Sequence, residues 1–270
     1  MIGQSIRRFR LSLPRRVSRP CADRSAHCES MRIAVVIPTR NDAADLVQTL
    51  ESLRAGGNPD LVVVADCGST DGTREVARRG NAVTTGGSQL TNRAAAMNAG
   101  AQLALAARPQ IDAIWFLHAD SLPPQGWKEL IVEAFADPKA VGGAFDFQWN
   151  YAGVWWLPLV FLFVVENINR VRFRMTKSFF GDQGIFVRPS TFEAVGGFPD
   201  VTLMEDVVFC RRLRRHGRLL LVRRRMRTSP RRFLRHGVLR QGLLDLGLLL
   251  AERAGIHPER IYAWYNREKA

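Results

Sequence analysis

Two apolar runs near the start of the chain limit the architectures open to it. Arg32-Ile-Ala-Val-Val-Ile-Pro38 reads as a buried strand, and Thr39-Arg40-Asn41-Asp42 follows as the cap of a helix reaching about Leu53. Leu61-Val-Val-Val-Ala-Asp66 repeats the pattern, passing through Cys67-Gly68-Ser69-Thr70 to a helix that Thr70 or Asp71 could cap. Runs that are apolar throughout, rather than alternating, suit strands covered on both faces. The repeat predicts a parallel, doubly wound sheet whose first loops share one edge, the edge at which such sheets bind ligands.

A third run, Ile114-Trp-Phe-Leu117, ends in His118-Ala119-Asp120 and then Pro123. At strand spacing His118 and Asp120 point to one face, where an imidazole and a carboxylate could hold a divalent ion. Before it, a glycine loop at Gly86-Gly87 leads into a helical stretch from about Leu90 to Ala107. Arg93 and Asn98 lie near its start, and a helix amino end with an arginine suits a diphosphate. After it come a helix over 124–136 and an alternating strand from Ala140 to Trp149. Val154 to Val165 is an apolar stretch of twelve residues, too short for a bilayer span of about twenty, that suits either packing or a membrane interface. Gly181-Asp182-Gln183-Gly184 is a loop entering a strand, and Met204-Glu205-Asp206 opens a helix with two acids in its first turn.

Charge separates candidate partners. The net is +14, of which residues 1–30 carry +5, and thirteen arginines lie between Asp206 and Asp245 without one acid among them. A solvated face normally mixes signs, so this segment reads as facing an anion: a polyphosphate, a lipid headgroup or nucleic acid. Residues 1–30 are Arg-, Ser- and Pro-rich and read as a disordered extension, serving as a transit peptide, a membrane-attracted arm or sequence upstream of a start at Met31. The four cysteines have neither disulfide nor zinc spacing, which favours a reducing, cytoplasmic setting. Beyond the arginines, Leu239, Leu243, Leu246 and Leu250 share one helical face, expected to pack on the domain or rest on anionic lipid, with packing favoured.

Four blocks in order resemble family-two glycosyltransferases of the GT-A fold: Val-Val-Ile-Pro-Thr-Arg-Asn-Asp at 35–42, Val-Val-Val-Ala-Asp-Cys-Gly-Ser-Thr-Asp-Gly-Thr at 62–73, Leu-His-Ala-Asp at 117–120 and Met-Glu-Asp at 204–206. Gly-Asp-Gln-Gly, Gly-Gly-Phe-Pro, Arg-Arg-Leu-Arg-Arg and Thr-Ser-Pro-Arg-Arg resemble a bacterial subgroup of them. The resemblance implies a three-layer α/β/α domain with a mostly parallel sheet over 31–235, followed by an amphipathic helical segment at 236–270. It implies inverting transfer of a sugar from a nucleotide-diphosphate sugar to an acceptor hydroxyl, with magnesium or manganese. Pro38, Thr39, Asp42 and Asp66 match positions around the nucleoside, Arg93 a basic position near the diphosphate, Asp120 the last acid of the metal motif and Asp206 the general base. Ser229-Pro230-Arg231-Arg232 could fold back over the donor phosphates, because arginine forks match phosphate oxygens. Asp182, Gln183 and Glu205 are candidates for the acceptor side.

Two positions depart from the family pattern. His118 replaces the first acid of the metal motif, leaving open whether it is a ligand, and Cys67 replaces the second acid of the base-binding block. The Gln-x-x-Arg-Trp motif of processive synthases is missing after Arg215, which argues for single transfers. The apolar stretches and the arginines point to a lipid or isoprenoid acceptor and to peripheral contact with the inner face of the cell membrane. A sugar-phosphate nucleotidyltransferase would need a basic glycine-rich loop after the first strand, and Pro38-Thr39-Arg40-Asn41 is not one. A nucleic-acid binder is suggested by charge alone and has no reading module, so nucleic acid is not an expected partner.

Overall fold

A computed structural model describes residues 31–151, 156–176, 178–201, 203–256 and 260. The N-terminal extension expected to be disordered, residues 1–30, lies outside the described residues, as does the end of the C-terminal segment. In chain order the elements are β1 (Ile33–Thr39), α1 (Ala43–Gly56), β2 (Leu61–Asp66), α2 (Thr73–Arg79), β3 (Val83–Gly86), α3 (Arg93–Ala106), β4 (Ala113–Phe116) and β5 (Ser121–Leu122). They continue with α4 (Trp127–Phe135), β6 (Ala140–Trp149), α5 (Trp156–Thr176), a 3-10 turn (Gly181–Gln183), β7 (Ile185–Val187), α6 (Pro189–Ala194) and α7 (Glu205–Leu213). β8 (Arg218–Thr228), α8 (Arg231–His236) and α9 (Val238–Arg253) close the described chain.

The strands form one sheet in the order β3-β2-β1-β4-β7-β6-β8-β5. β3, β2, β1 and β4 are mutually parallel, as the repeated strand–loop–helix pattern predicts, and β6 runs parallel to β8. β7 is antiparallel to both of its neighbours, and β5 to β8. Alternate residues of the apolar runs go to opposite faces: Ile33, Val35 and Ile37 join Leu46, Leu53, Trp127 and Ile131 in one core layer, while Ala34 and Val36 join Met97, Ala101, Phe192 and Phe209 in the other. Both faces are covered, so these strands have no polar side to show in sequence.

The topology fixes where a ligand can sit. The chain runs outward from β1 to β2 and β3, then returns to lay β4 on the other side of β1, so the strand order reverses between β1 and β4. Their pairing stops at Val36 and Phe116, whereas β1 continues beside β2 to the Thr39–Asp66 register. Pro38, which has no N–H to give, occupies the stretch that β4 no longer pairs. The two chains part there and open a crevice at the carboxyl ends, the usual ligand position in such sheets.

Pro158 lies in the first turn of α5, where a missing N–H is tolerated, so the apolar stretch at 154–165 is the front of a longer helix. α9 packs on that helix, with Gly242 against Val165. Its packing differs from expectation: Val238, Gln241 and Leu248 are buried, while Leu239, Leu243, Leu246 and Leu250 face outward. Among the described residues no helix is long and apolar enough to cross a membrane.

Candidate active site

Two loops are laced together at the mouth of the crevice. Asn41, held at φ 56°, receives its Oδ1 bond from the Thr70 N–H at 2.8 Å and gives its own N–H to Ser69 Oγ at 2.9 Å. The Asp42 N–H donates to Thr73 Oγ1 at 3.1 Å and the Ala43 N–H to Asp71 at 3.0 Å. Asp71 thus ties two helix starts together, although the residue preceding α2 is Gly72. Asp66 is fully buried and accepts bonds from the Ser69 N–H, the Ser69 hydroxyl and Arg74 Nε, the last at 2.5 Å. Burial pushes its carboxyl up, but the Ser69 and Arg74 bonds outweigh burial and hold it below the usual range. The partner Arg74 is itself 53% exposed, so Asp66 is buried beneath a side chain that reaches solvent. Cys67, in the place of a second acid, has its thiol pushed up by burial and by Asp66, and stays neutral. The Thr39 hydroxyl is buried at the strand end without a hydrogen-bond partner.

The strand-end expectation for His118 and Asp120 needs correcting. β4 stops at Phe116, and both residues sit on the loop before β5, pinned where Thr49 Oγ1 donates to the Ala119 carbonyl at 2.6 Å. They therefore lack strand spacing and meet different neighbours. His118 Nε2 lies 3.2 Å from Arg93 Nη1. Asp120 feels Arg231, Asp45 and Asp42, and burial raises its carboxyl to about 6.

Arg93 opens α3, and the preceding Asn92 caps that helix by accepting the Ala95 N–H at 2.7 Å. Its Nε meets Glu205 Oε1 at 2.5 Å, and the side chain as a whole is 42% exposed. Burial alone would lower its pKa, but Glu205 and Asp206 raise it, so Arg93 stays charged. Burial raises the Glu205 carboxyl, against Arg93 and with Asp206 adding to the rise. Glu205, expected on the acceptor side, is thus buried in an ion pair. Asn98, further along the same helix as Arg93, brackets the Gly-Gly-Phe-Pro turn through both the N–H and the carbonyl of Phe198.

α7 starts from Met204, whose φ of 65° costs a residue with a Cβ about 1–2 kcal/mol. Leu248 of α9 and Val207 hold it in place. The turn aims Asp206 at the 3-10 turn, where the carboxylate accepts the Gly181 N–H at 2.7 Å; its other oxygen lies 2.7 Å from its neighbour's Val207 N–H. Gln183, an acceptor-side candidate, is buried; it accepts from the Phe180 N–H and donates to the Phe145 carbonyl, bracing the turn. A Cβ on Gly181 would stand 2.6 Å from His118 Nε2 and 3.6 Å from Asp206 Oδ2. Gly181→Ala is expected to keep its thermal midpoint while kcat falls by about 10²-fold, since the shifted groups are those at the cavity floor; circular-dichroism melting and turnover check the two halves.

These groups enclose a cavity of about 230 Å³. Arg93, His118, Asp120, Asp182 and Asp206 form its polar part, with Asp245 of α9. Trp149, Phe180, Leu203, Met204, Phe233 and Leu248 form an apolar wall. Asp66 stands at the same carboxyl edge, opposite Thr39, but outside the lining. Arg231 pairs with Asp45 on α1, and the side chain of Arg232 lies outside the described residues. Nothing in the sequence sets Trp149 apart as a site residue, and Asp245 stands out only as an acid within the leucine series.

The donor chemistry can be set against a divalent ion. Among the described residues no group of three or more His, Cys, Asp and Glu side chains could hold one. His118 presents Nε2 to a guanidinium, which leaves Asp120 as the anionic ligand of the His118–Asp120 pair. One carboxylate with the remaining positions filled by substrate phosphates fits magnesium or manganese.

A parallel sheet with its crevice at the β1–β4 reversal, closed by antiparallel β7 and the loops after β4 and before α7, is the GT-A architecture of glycosyltransferases. The chain belongs to glycosyl transferase family 2, whose model matches residues 34–195. Similar solved structures include the mannosyltransferase PcManGT of Pyrobaculum calidifontis in complex with GDP-Man and Mn2+, at 22% identity and TM-score 0.55, over 73% of this chain and 56% of that one. Another is S. aureus TarS 1-349 in complex with UDP, at 17% identity and TM-score 0.55, over 82% and 64%. The succinoglycan biosynthesis protein ExoA of Rhizobium meliloti (strain 1021) is 51% identical over 47 residues, 17% of this chain. The chain covers 14% of that curated relative and little more than half of the mannosyltransferase.

Proposed function

We propose that the protein transfers one sugar at a time from a nucleotide-diphosphate sugar to an acceptor hydroxyl, with inversion at the anomeric carbon. The observation that carries this reading is that Asp120 and Asp206, 86 positions apart by number, line one cavity beyond the carboxyl end of β4 together with Arg93. In the reaction the acceptor oxygen bonds to the anomeric carbon as the bond to the diphosphate breaks. The acceptor proton goes to Asp206 and the electron pair leaves with the nucleoside diphosphate. Two N–H contacts keep the Asp206 carboxylate fixed, and Met204 sets its direction.

A divalent ion, magnesium or manganese, held by Asp120 and the diphosphate would neutralise charge on the leaving group. Thr39 and the laced loops at Asn41–Thr73 suit the nucleoside, with Asp66 and Arg74 behind them; Arg231 stands beside Asp120 and Asp42. Arg93 contributes a fixed positive charge beneath the diphosphate while it orients His118 and Glu205. The apolar wall suits an acceptor that is itself largely apolar, a lipid or isoprenoid alcohol. The indole N–H of Trp149, buried without a hydrogen-bond partner, is a donor ready for an acceptor oxygen.

A thermal-shift panel of nucleotide sugars, with and without manganese, tests the reading. A true donor at 100 times its Kd is expected to stabilise the fold by about 2.7 kcal/mol, and more weakly without the ion. No shift with any nucleotide sugar would remove the donor from the proposal.

A further inference from the structure

The outer faces of α5 and α9 form an apolar surface that nothing in the described fold covers. Val160, Phe161, Val164, Ile168 and Val171 follow helical spacing along α5, and Leu239, Leu243, Leu246 and Leu250 do so along α9; their exposures run from 40% to 63%. The two helices pack on each other through Val165 and Gly242, so the stripes belong to one face pair. Soluble monomers rarely leave a contiguous apolar patch of this extent open to water.

The surrounding charge identifies the occupant. Arg214 binds the Thr176 carbonyl at the end of α5, Arg225 reaches Gln148 of β6, the strand on which α5 packs, and Arg235 and Arg240 are exposed next to Leu234 and Leu239. The described acids of the two helices are turned away: Glu166 is buried against Tyr151 and Arg170, and Asp245 lines the cavity and accepts from Gln241. An apolar helical face with a basic border suits the surface of an anionic bilayer, the side chains entering the acyl boundary and the guanidinium groups meeting phosphates. A second copy placed on this face by two-fold symmetry would bring like-charged borders together.

We propose that α5 and α9 are a docking platform for an anionic lipid bilayer, lying flat on it rather than crossing it. The inner sides of the same region wall the cavity: Leu248 of α9 lines it, and Trp149 and Phe233 pack with Leu162 of α5. Docking therefore brings the apolar wall to the lipid boundary, where an alcohol carried on a lipid could enter without leaving the membrane. This last step rests on the transferase reading, whereas the docking itself does not.

The test is sedimentation of the full chain with vesicles of phosphatidylcholine alone or mixed with phosphatidylglycerol. Binding to the mixed vesicles is expected to be at least about 10-fold tighter and to weaken with salt. The double variant Val164→Asp with Leu243→Asp is expected to lose about 10-fold or more of that affinity. Its thermal midpoint and its thermal shift with nucleotide sugar should match the parent, because both side chains are exposed and outside the cavity. Equal binding of parent and variant, or no binding of the parent, would overturn the proposal. So would equal affinity for neutral vesicles, or a parent that sediments as a dimer in analytical ultracentrifugation and a variant that sediments as a monomer. Loss of docking with transfer to a water-soluble acceptor intact would separate this surface from the transferase reading, which fails only when turnover itself is lacking.

Discussion

Asp206→Asn is expected to remain folded and to lose transfer by about 10²–10⁴-fold, the range that a positioned general base contributes. The amide has nearly the shape of the carboxylate but cannot take the acceptor proton. It also meets N–H groups from both Gly181 and Val207, so one of them faces an amide NH2 instead of an oxygen. That mismatch is worth about 1–2 kcal/mol of stability, far too little to unfold the chain. The loss should appear in kcat, with donor binding by thermal shift unchanged, because the missing interaction belongs to the transition state. A variant that retains full turnover would remove Asp206 from the chemistry.

Asp120→Asn is expected to do two opposite things. Burial holds the Asp120 carboxyl at about 6, above its ordinary 3.8. For an acid raised on folding, the favourable contribution is complete below the unfolded value and is lost as pH climbs through the folded one. Above pH 6 the ionised side chain is therefore a burden on the ligand-free fold. The neutral amide should raise stability at pH 7.5 by about 1–2 kcal/mol, discounted from the full shift because the side chain keeps some solvent. At pH 5 only about half of the difference should be gone, because the unfolded carboxyl is already largely ionised there while the folded one is not. Turnover should fall by about 10²-fold or more, since the variant lacks the carboxylate that would hold the ion against the leaving diphosphate. Melting curves at the two pH values, beside turnover with manganese, check both effects. A less stable variant at pH 7.5 would mean that Asp120 is satisfied by partners as an anion.

The parallel half of the sheet was legible because β1, β2 and β4 are covered on both faces and so appear as unbroken apolar runs. The family resemblance, carried by four short blocks in order, was legible for a related reason: three blocks sit at or just past strand ends and the fourth opens α7, where the chain must turn and present polar atoms. What could not be read were partners distant along the chain. Arg93 was placed on a diphosphate by its position at a helix start, yet its nearest acid, Glu205, is 112 positions away. Gln183 looked like a ligand contact because glycines flank it, but its amide is used by two backbone groups.

The helices show a different limit. A leucine every third or fourth residue establishes that α9 has an apolar face, and the usual partner of such a face is the core. Here the less conspicuous face with Val238, Gln241 and Leu248 does the packing, and the leucines face out. Periodicity defines a stripe without saying what meets it. The extent of α5 was hidden by Pro158, whose position in the first turn is harmless, and by the polar half that follows Val165.

The most direct measurement is release of nucleoside diphosphate from a panel of nucleotide sugars by the full chain, with and without manganese, beside Asp120→Asn and Asp206→Asn. The expected result is release from at least one donor that depends on the ion and falls by about 10²-fold or more in each variant. Release that persists undiminished in both variants, or none from any donor, would contradict a shared cavity in which these two carboxylates carry out the transfer.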